Sequence, residues 1–257
     1  MYHRVCDVRS AAESRFAVTP ERFAQHMRRL AGAGYRAVGI QRLVEWLDGG
    51  PPLHGGDFVL TFDDGYRDVL EHADPVLREL GWPYTVFLVT DLLGGVDAWN
   101  LRAGISGHPL LAADEVRQMH ARGCDFQSHT RSHPSLPALD DAALRSELAG
   151  SRERLAELLG RAPDYLAYPF GHVDERVEAA ARAAGYKAAF SVQPGFNRQS
   201  VGRYRLRRLD VFGSDTPARL LRKMRLGSND GGLMNYIGYL GRRAGSLPLR
   251  LVRNTGS

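Results

Sequence analysis

The segment Phe58–Tyr66 has the sequence FVLTFDDGY, an apolar run that ends in two adjacent carboxylates and a glycine. A continuous run of apolar and β-branched residues predicts a strand that is buried on both faces. Asp63 and Asp64 then lie at the exit of that strand, where two like charges cost free energy unless a cation neutralises them. The alternative interpretation is an ordinary solvated turn, in which Gly65 only supplies a positive φ.

A second segment, Ser128–His133, has the sequence SHTRSH and places two histidines four residues apart. In a turn or at a helix start this spacing puts both rings on one side. Nitrogen and oxygen ligands with an open fourth position suit a catalytic divalent metal. We therefore expect Asp64, His129 and His133 to bind a metal and Asp63 to serve as the base of a metal-assisted hydrolysis. Zinc is the first choice, although cobalt, manganese or nickel fits the same ligands.

Apolar runs alternate with helical patterns along the rest of the chain. Strands are predicted at Tyr2–Val5, Tyr35–Ile40, Phe58–Phe62, Tyr84–Thr90, Cys124–Ser128, Tyr165–Tyr168, Lys187–Val192 and Leu206–Val211. Helices are predicted from Pro20 to Gly32 or Gly34 and at Asp68–Leu80, Asp114–Arg122, Asp140–Leu159, Asp174–Ala184 and Thr216–Leu226. About eight strands alternating with helices predict an α/β fold, a (β/α) barrel or a close relative, in which catalytic residues lie at the C-terminal strand ends. We predict one domain over residues 1–257, with the tail after about residue 227 assigned only loosely.

The composition limits the partners. An apolar fraction of 44% and a charged fraction of 25% are typical of a globular protein. The net charge of +5 would favour an anionic polymer, a phosphorylated sugar carrier or a membrane surface, but it is too small to choose among them. The basic segment Arg219–Leu226 is interpreted as a solvated helix face rather than a lipid-binding one. No nucleic-acid partner is expected, and the sequence leaves the oligomeric state open.

The two cysteines, Cys6 and Cys124, are too few for a disulfide framework and are expected to be buried thiols. The chain contains no long apolar span and no export signal, so as given it is expected to be cytoplasmic. Met1–Val5 resembles a strand that is entered midway, so an upstream start and an extracytoplasmic location stay open.

Three motifs together resemble the polysaccharide deacetylases with a NodB-homology domain, carbohydrate esterase family four, whose members remove N-acetyl or O-acetyl groups from sugars. Thr61–Gly65 resembles the first motif of that family, Ser128–Pro134 the second and Tyr168–Gly171 the third. The match is ordered and covers most of the chain. The resemblance implies a distorted TIM-like barrel with seven or eight strands.

The same resemblance implies roles for individual residues. Asp63 would be the general base, and Asp64, His129 and His133 would be the metal ligands. The backbone N–H of Phe170 would donate a hydrogen bond to the oxyanion.

The third motif departs from the commonest family form. The family has an arginine that steers the catalytic aspartate, and the matching position here is Ala167. The contact is therefore absent or comes from elsewhere, with Arg205, Arg207 and Arg208 as candidates. Alternation separates Arg208 from the other two, and we expect Arg208 to supply the contact. For any single one of these arginines, a pair with a surface carboxylate is the alternative.

The late histidine that gives the family its catalytic acid is also missing. Tyr2-His3 resembles the N-terminus of exopolysaccharide-type members, whose motifs are circularly permuted. By that resemblance His3 protonates the leaving amine. A frayed terminal histidine is the alternative interpretation of His3, and His172 is the reserve candidate for the acid.

Five further residues allow either two interpretations or only a structural one. Asp174 either orients a histidine or caps a helix. Trp99 and Asn100 either line a sugar subsite or pack their own loop. His120 is interpreted as a helix-surface residue, and His108 as a loop residue.

The sequence thus predicts a metal-dependent hydrolase that removes N-acetyl groups from an N-acetylated amino sugar in an oligosaccharide or polysaccharide. A deacetylase or deformylase of a lipid-linked or small soluble sugar is the first alternative. A catalytically inactive carbohydrate-binding protein is the second.

Overall fold

A parallel sheet of five strands forms the centre of the computed structural model, which describes residues 1–8, 13–102 and 107–237. Its strands follow one another in sequence order from β5 to β9, as expected for repeated strand–helix units. The strands of the described chain are β1 (Arg4–Val5), β2 (Ala17–Val18), β3 (Arg36–Ala37), β4 (Asp57–Phe58), β5 (Thr61–Phe62), β6 (Thr85–Leu88), β7 (Asp125–Ser128), β8 (Tyr165–Ala167) and β9 (Ala188–Phe190).

Helices connect these strands and cover the outside of the sheet. They are α1 (Pro20–Ala31), α2 (Ile40–Leu47), α3 (Asp74–Glu79), α4 (Ala98–Arg102), α5 (Ala113–Ala121), α6 (Asp141–Leu159), α7 (Glu175–Ala183) and α8 (Pro217–Leu226). Their starts follow the capping rules, since Thr19, Asp140, Asp174 and Thr216 each accept a backbone N–H of the first turn. The predicted N-cap role of Asp174 is therefore confirmed.

The N-terminal segment extends the sheet beyond β5. The N–H of Tyr2 donates to the carbonyl of Thr61 at 2.9 Å, and the N–H of Asp63 donates to the carbonyl of Tyr2 at 3.0 Å. On the other side, the N–H of Val211 donates to the carbonyl of Met1 at 3.0 Å. The beginning of the chain thus lies between β5 and the segment around residue 210, which curls the sheet.

The predicted α/β barrel-like fold is confirmed, with distortions. β1 pairs only with β2 and β3 only with β4, so the strands of the described chain form three separate parallel sheets. The predicted strand Phe58–Phe62 is divided, because Asp57–Phe58 pairs with β3 whereas Thr61–Phe62 pairs with β6. The predicted strand Leu206–Val211 is wrong, since only Leu206 bridges to Phe190 there.

Among the strands and α-helices of the described residues, β2, α2 and α4 were not predicted. Helix α2 begins at Ile40, where a strand was expected to end, because Ile40, Leu43, Val44 and Leu47 recur at helical spacing and are all buried. The predicted helix Asp68–Leu80 consists of a π-helical turn at Val69–Ala73 followed by α3.

The C-terminal part of the chain and the two cysteines can also be compared with the predictions. Gly227 ends α8 in the left-handed conformation that glycine adopts readily at helix C-termini. The predicted loose tail lies largely outside the described residues. Both cysteines are buried free thiols, as predicted. Of the described helices, none combines the length and the apolar character that crossing a bilayer requires.

Candidate active site

The polar motifs meet at the edge of the sheet formed by the C-terminal ends of its strands. Asp63 and Asp64 follow β5, His129 follows β7, and Phe170 lies shortly after β8. Parallel strands bring these ends to one edge, which is where sites form in barrels of this type. The residues border a cleft of about 380 Å³, a volume within the usual range for ligand sites. Its walls include His3, Asp63, Asp64, Trp99, His129, His133 and Phe170.

Backbone strain is concentrated in the same place. Among the described residues, the non-glycine residues with positive φ are Asp64 (74°), Thr130 (69°), His133 (62°) and Phe170 (59°). Each of these residues lies within one of the three motifs. Such conformations cost free energy and persist where the surrounding structure fixes them, commonly at functional sites.

Asp64, His129 and His133 have the geometry of a metal-ligand set. The Nε2 atoms of His129 and His133 each lie 3.3 Å from Oδ1 of Asp64. Zinc–nitrogen bonds of 2.0–2.1 Å in a tetrahedral site place neighbouring ligand atoms about 3.4 Å apart, so the spacing fits. Oδ1 of Asp64 is buried without a hydrogen-bond partner among the described residues, as expected of an oxygen that a cation would satisfy.

The electrostatics of the three groups agree with mutual stabilisation. Burial would raise the pKa of Asp64, but the imidazoles of His129 and His133 lower it well below its usual range. Burial would lower the pKa of His129, but Asp64 and Asp63 raise it overall. For His133, burial outweighs the two carboxylates and lowers the pKa, so this ring favours the neutral form that binds metals.

Asp63 is held beside this set by Arg208. The guanidinium donates from Nη1 to Oδ1 of Asp63 at 2.6 Å and from Nη2 to Oδ2 at 2.8 Å. Both side chains are buried, and Nε of Arg208 donates to the carbonyl of Ser191 at 3.0 Å. Burial would raise the pKa of Asp63, but Arg208, followed by His129 and His3, lowers it. Asp63 is therefore an ionised carboxylate in a fixed orientation.

The contact expected from a late arginine is thus present, and it comes from Arg208. Arg205 instead pairs with Glu178 at the surface, the alternative interpretation for these arginines. At the position where the family has its arginine, the carbonyl of Ala167 accepts a hydrogen bond from Nδ1 of His129 at 2.8 Å. Any residue can supply this backbone contact, so it does not require the missing arginine.

His3 lines the cleft with the two aspartates, and its ring packs on Phe16 with centroids 4.9 Å apart. The reserve candidate His172 does not belong to the cleft wall. Its Nδ1 forms an exposed hydrogen bond of 2.9 Å with the hydroxyl of Ser135. The catalytic role of His3 stays a prediction, but of the two histidines it is the one that faces the site.

Aromatic side chains cover the metal-ligand set. Trp99 stacks on His133 with ring centroids 4.1 Å apart, and the half-exposed ring of Phe170 lies 4.6 Å from the same imidazole. Trp99 and Asn100 both border the cleft, as the sugar-subsite interpretation requires.

Three titratable residues outside the motifs differ in their position relative to the cleft. His120 bonds the carbonyl of Cys124 at 3.1 Å and has no part in the site. His108 is in a loop as predicted, yet it borders the cleft, where its Nε2 lies 3.7 Å from Glu13. Sequence reasoning missed Asp97, a fully buried carboxylate in the same loop, because an aspartate before a short helix is ordinary loop composition.

A larger cavity of about 760 Å³ opens behind Arg208. Its walls are mainly apolar and include Met27, Leu30, Phe58 and Leu220. None of the candidate metal ligands lines it, so its size does not make it the catalytic site.

Comparison with known proteins identifies the family. The family model described as polysaccharide deacetylase matches residues 51–189, which contain all three motifs. The protein YxkH of Bacillus subtilis (strain 168), named as a polysaccharide deacetylase, is 26% identical over 211 residues, which cover 82% of this chain and 70% of that protein. The poly-beta-1,6-N-acetyl-D-glucosamine N-deacetylase of Staphylococcus epidermidis is 23% identical over 208 residues, covering 76% of this chain and 68% of that one.

A solved structure extends the likeness to the fold. IcaB from Ammonifex degensii superposes with a TM-score of 0.73 and 26% identity, covering 88% of this chain and 94% of that one. Deacetylases of this family generally depend on a divalent metal, and the convergence of Asp64, His129 and His133 is consistent with that dependence. The chain belongs to the polysaccharide deacetylase family, whose members are hydrolases that act on amide C–N bonds.

Proposed function

We propose that this protein removes N-acetyl groups from an N-acetylated glucosamine polymer, with a divalent metal held by Asp64, His129 and His133. The observation that carries the proposal is the convergence of these three ligand atoms beside a second, separately held carboxylate. Zinc is the metal that the ligand types favour, with cobalt, manganese or nickel as alternatives. When bound, the ion would polarise the acetyl carbonyl and acidify a water molecule.

The chain's own groups then have distinct tasks. Asp63 accepts the proton of the attacking water, because Arg208 keeps it ionised and fixes its orientation. The backbone N–H of Phe170 stabilises the oxyanion of the tetrahedral intermediate. His3 gives a proton to the sugar nitrogen as the C–N bond breaks, since it lies in the cleft that also contains Asp63.

The relatives and the cleft support this substrate class. The similar protein of Staphylococcus epidermidis is, by name, a poly-beta-1,6-N-acetyl-D-glucosamine N-deacetylase. The cleft is bordered by the rings of Trp99, Phe16 and Phe170, which offer apolar faces to a sugar. A polymer of N-acetylglucosamine supplies both the amide and a succession of sugar rings.

The test is an acetate-release assay on β-1,6-linked N-acetylglucosamine oligomers of increasing length. The free monosaccharide and a lipid-linked N-acetyl sugar are assayed separately as the alternative substrates. We expect release that grows with oligomer length, stops on chelation and returns with zinc. Faster turnover of the monosaccharide or lipid-linked sugar would contradict the polymer assignment. Undiminished release by the metal-loaded Asp63→Asn variant would contradict the proposed chemistry.

A further inference from the structure

Two aromatic rings pack on the imidazole of His133. The indole of Trp99 lies 4.1 Å from it, centroid to centroid, with the two planes 30° apart. The ring of Phe170 lies 4.6 Å away at an interplanar angle of 67°. The imidazole therefore packs against two aromatic side chains at once.

The two ligand histidines differ in their support. Nδ1 of His129 bonds the carbonyl of Ala167 at 2.8 Å, which fixes the tautomer and the ring orientation. Nδ1 of His133 is buried and has no hydrogen-bond partner among residues 1–8, 13–102 and 107–237. A metal-bound histidine normally donates its second N–H to a carboxylate or carbonyl, which orients the ring. For His133, packing has to do this.

Asn100, the next residue after Trp99, is held by the buried carboxylate of Asp97. This carboxylate accepts hydrogen bonds from the hydroxyl of Tyr66 at 2.8 Å, the backbone N–H of His108 at 2.7 Å and the side-chain amide of Asn100. Its backbone carbonyl accepts the N–H of Asn100 at 3.1 Å. Burying a carboxylate costs free energy unless its oxygens accept hydrogen bonds, and here Tyr66, Asn100 and His108 donate them.

Tyr66 links this loop to the metal-binding segment, because it follows Asp64 by two residues. Its ring also lies 6.5 Å from that of Trp99 in an edge-on arrangement. Asp97 thus connects the segment that carries Asp64 with the loop whose Trp99 covers His133.

We propose that Asp97 is a positioning residue of the metal centre, which acts through Tyr66 and Trp99 on the ring of His133 and so sets the affinity for the divalent ion. The proposal rests on the proposed function in one respect, the assignment of Asp64, His129 and His133 as ligands. Asp97 itself is not a ligand, because its carboxylate is engaged with the three donors.

The experiment measures the affinity of the full chain for Zn²⁺ by competition with a chromophoric chelator. Asp97→Asn and Tyr66→Phe each remove part of the hydrogen-bonded set, and Trp99→Ala removes the ring. We expect each variant to bind Zn²⁺ about 10–100-fold more weakly, the usual effect of losing an outer contact of a metal site. The chain has three tryptophans, and the signal of Trp99 is the part of the fluorescence that Trp99→Ala removes. Titration with Co²⁺ should quench that part in the wild type, and by less in Asp97→Asn, because the indole no longer stacks on a ligand.

The chain offers a matched control in Tyr84 and Asp74. The hydroxyl of Tyr84 donates to Asp74 at 2.7 Å in another buried tyrosine–aspartate pair. Tyr84→Phe should lower the thermal stability by an amount similar to that of Tyr66→Phe while leaving Zn²⁺ affinity unchanged. Asp74→Asn should also leave the affinity unchanged, but it loses an ion pair with Arg122 as well, so its stability is not compared with that of Asp97→Asn. A purely structural role of Asp97 would move stability alone.

The outcomes separate this inference from the proposed function. The inference alone would be overturned by two results together. The wild type binds Zn²⁺ tightly and Asp64→Ala does not, yet Tyr66→Phe, Trp99→Ala and folded Asp97→Asn all keep the wild-type affinity. If Asp97→Asn does not fold, Tyr66→Phe and Trp99→Ala decide the result. A wild-type protein that does not bind Zn²⁺, or an Asp64→Ala variant that binds it equally well, would overturn the proposed function and the inference with it.

Discussion

Replacing Arg208 by glutamine should impair Asp63 without removing the metal. Arg208 donates two hydrogen bonds to Asp63, and both groups are buried. Burial favours the neutral form of the Asp63 carboxyl, and the charge of Arg208 is the largest interaction that opposes this effect. Glutamine carries no charge, so the variant loses that opposing interaction. The pKa of Asp63 therefore rises relative to the wild type, and the acid limb of the pH–rate profile moves to higher pH.

The magnitude follows from the burial of the pair. Two unit charges about 4 Å apart interact with about 4 kcal/mol at an effective dielectric constant of 20. Breaking one partner of a buried pair typically costs about 3–5 kcal/mol of stability. For a chain of this size each kcal/mol corresponds to about 2–4 °C, so we expect the melting temperature to fall by about 6–20 °C at neutral pH.

The pair of Asp63 and Arg208 makes the stability of the fold depend on pH. The folded-state pKa of Asp63 is depressed, so the pair stabilises the fold fully above the unfolded-state pKa. That contribution is lost as the pH falls through the folded-state pKa. The stability difference between the wild type and Arg208→Gln should accordingly shrink in acid.

The assay is acetate release by metal-saturated protein over a range of pH, with the metal content measured at each pH. Arg205→Gln is the matched control, because Arg205 pairs with Glu178 at the surface, where such pairs contribute about 0–1 kcal/mol. Arg208→Lys should restore the charge but not the paired hydrogen bonds, and so recover only part of the turnover. An unshifted acid limb together with turnover within a few-fold of the wild type would refute this account of Asp63.

Three further predictions concern the other groups of the site. Asp64→Ala should remove the bound ion, and elemental analysis showing undiminished metal would defeat its assignment as a ligand. Asp63→Asn should keep the metal and lose turnover by about 10²–10⁴-fold, the usual cost of removing a general base; activity close to the wild type would exclude that role. His3→Ala should keep the metal, depress turnover and remove the high-pH limb, which reports loss of the acid's proton. If His172→Ala removed that limb instead, the acid would be His172.

The strands of the central sheet could be predicted because they are apolar on both faces. β6 and β8 are completely buried, and their continuous apolar runs match that environment. Leu206–Val211 looks similar in sequence but forms only one bridge, since the backbone of Leu209 and Val211 bonds Met1 instead. Sequence alone does not indicate which neighbour such a segment takes.

The charged part of the site was more predictable than its surroundings. The ligand spacing and the paired aspartates are local patterns, and their partners converge because parallel strands end at one edge. Arg208, which alternation separated from Arg205 and Arg207, is the arginine that bonds Asp63, although the strand that the alternation assumed does not form. The stack of Trp99 on His133 joins residues from different loops, and no pattern in either loop encodes the distance between them.

The polar site combines a family core with groups from outside it. The family model matches residues 51–189, whereas His3 and Arg208 both lie beyond that range. Both act on Asp63. They reach it because the amine of Met1 donates to the carbonyl of Leu209 at 2.8 Å, and Tyr2 bonds Thr61, two residues before Asp63. What the chemistry requires is a charged group at a given strand end, and the order in which the chain supplies it is immaterial. An arginine missing from the third motif can therefore be supplied by the segment that packs beside Met1, provided that this packing stays intact.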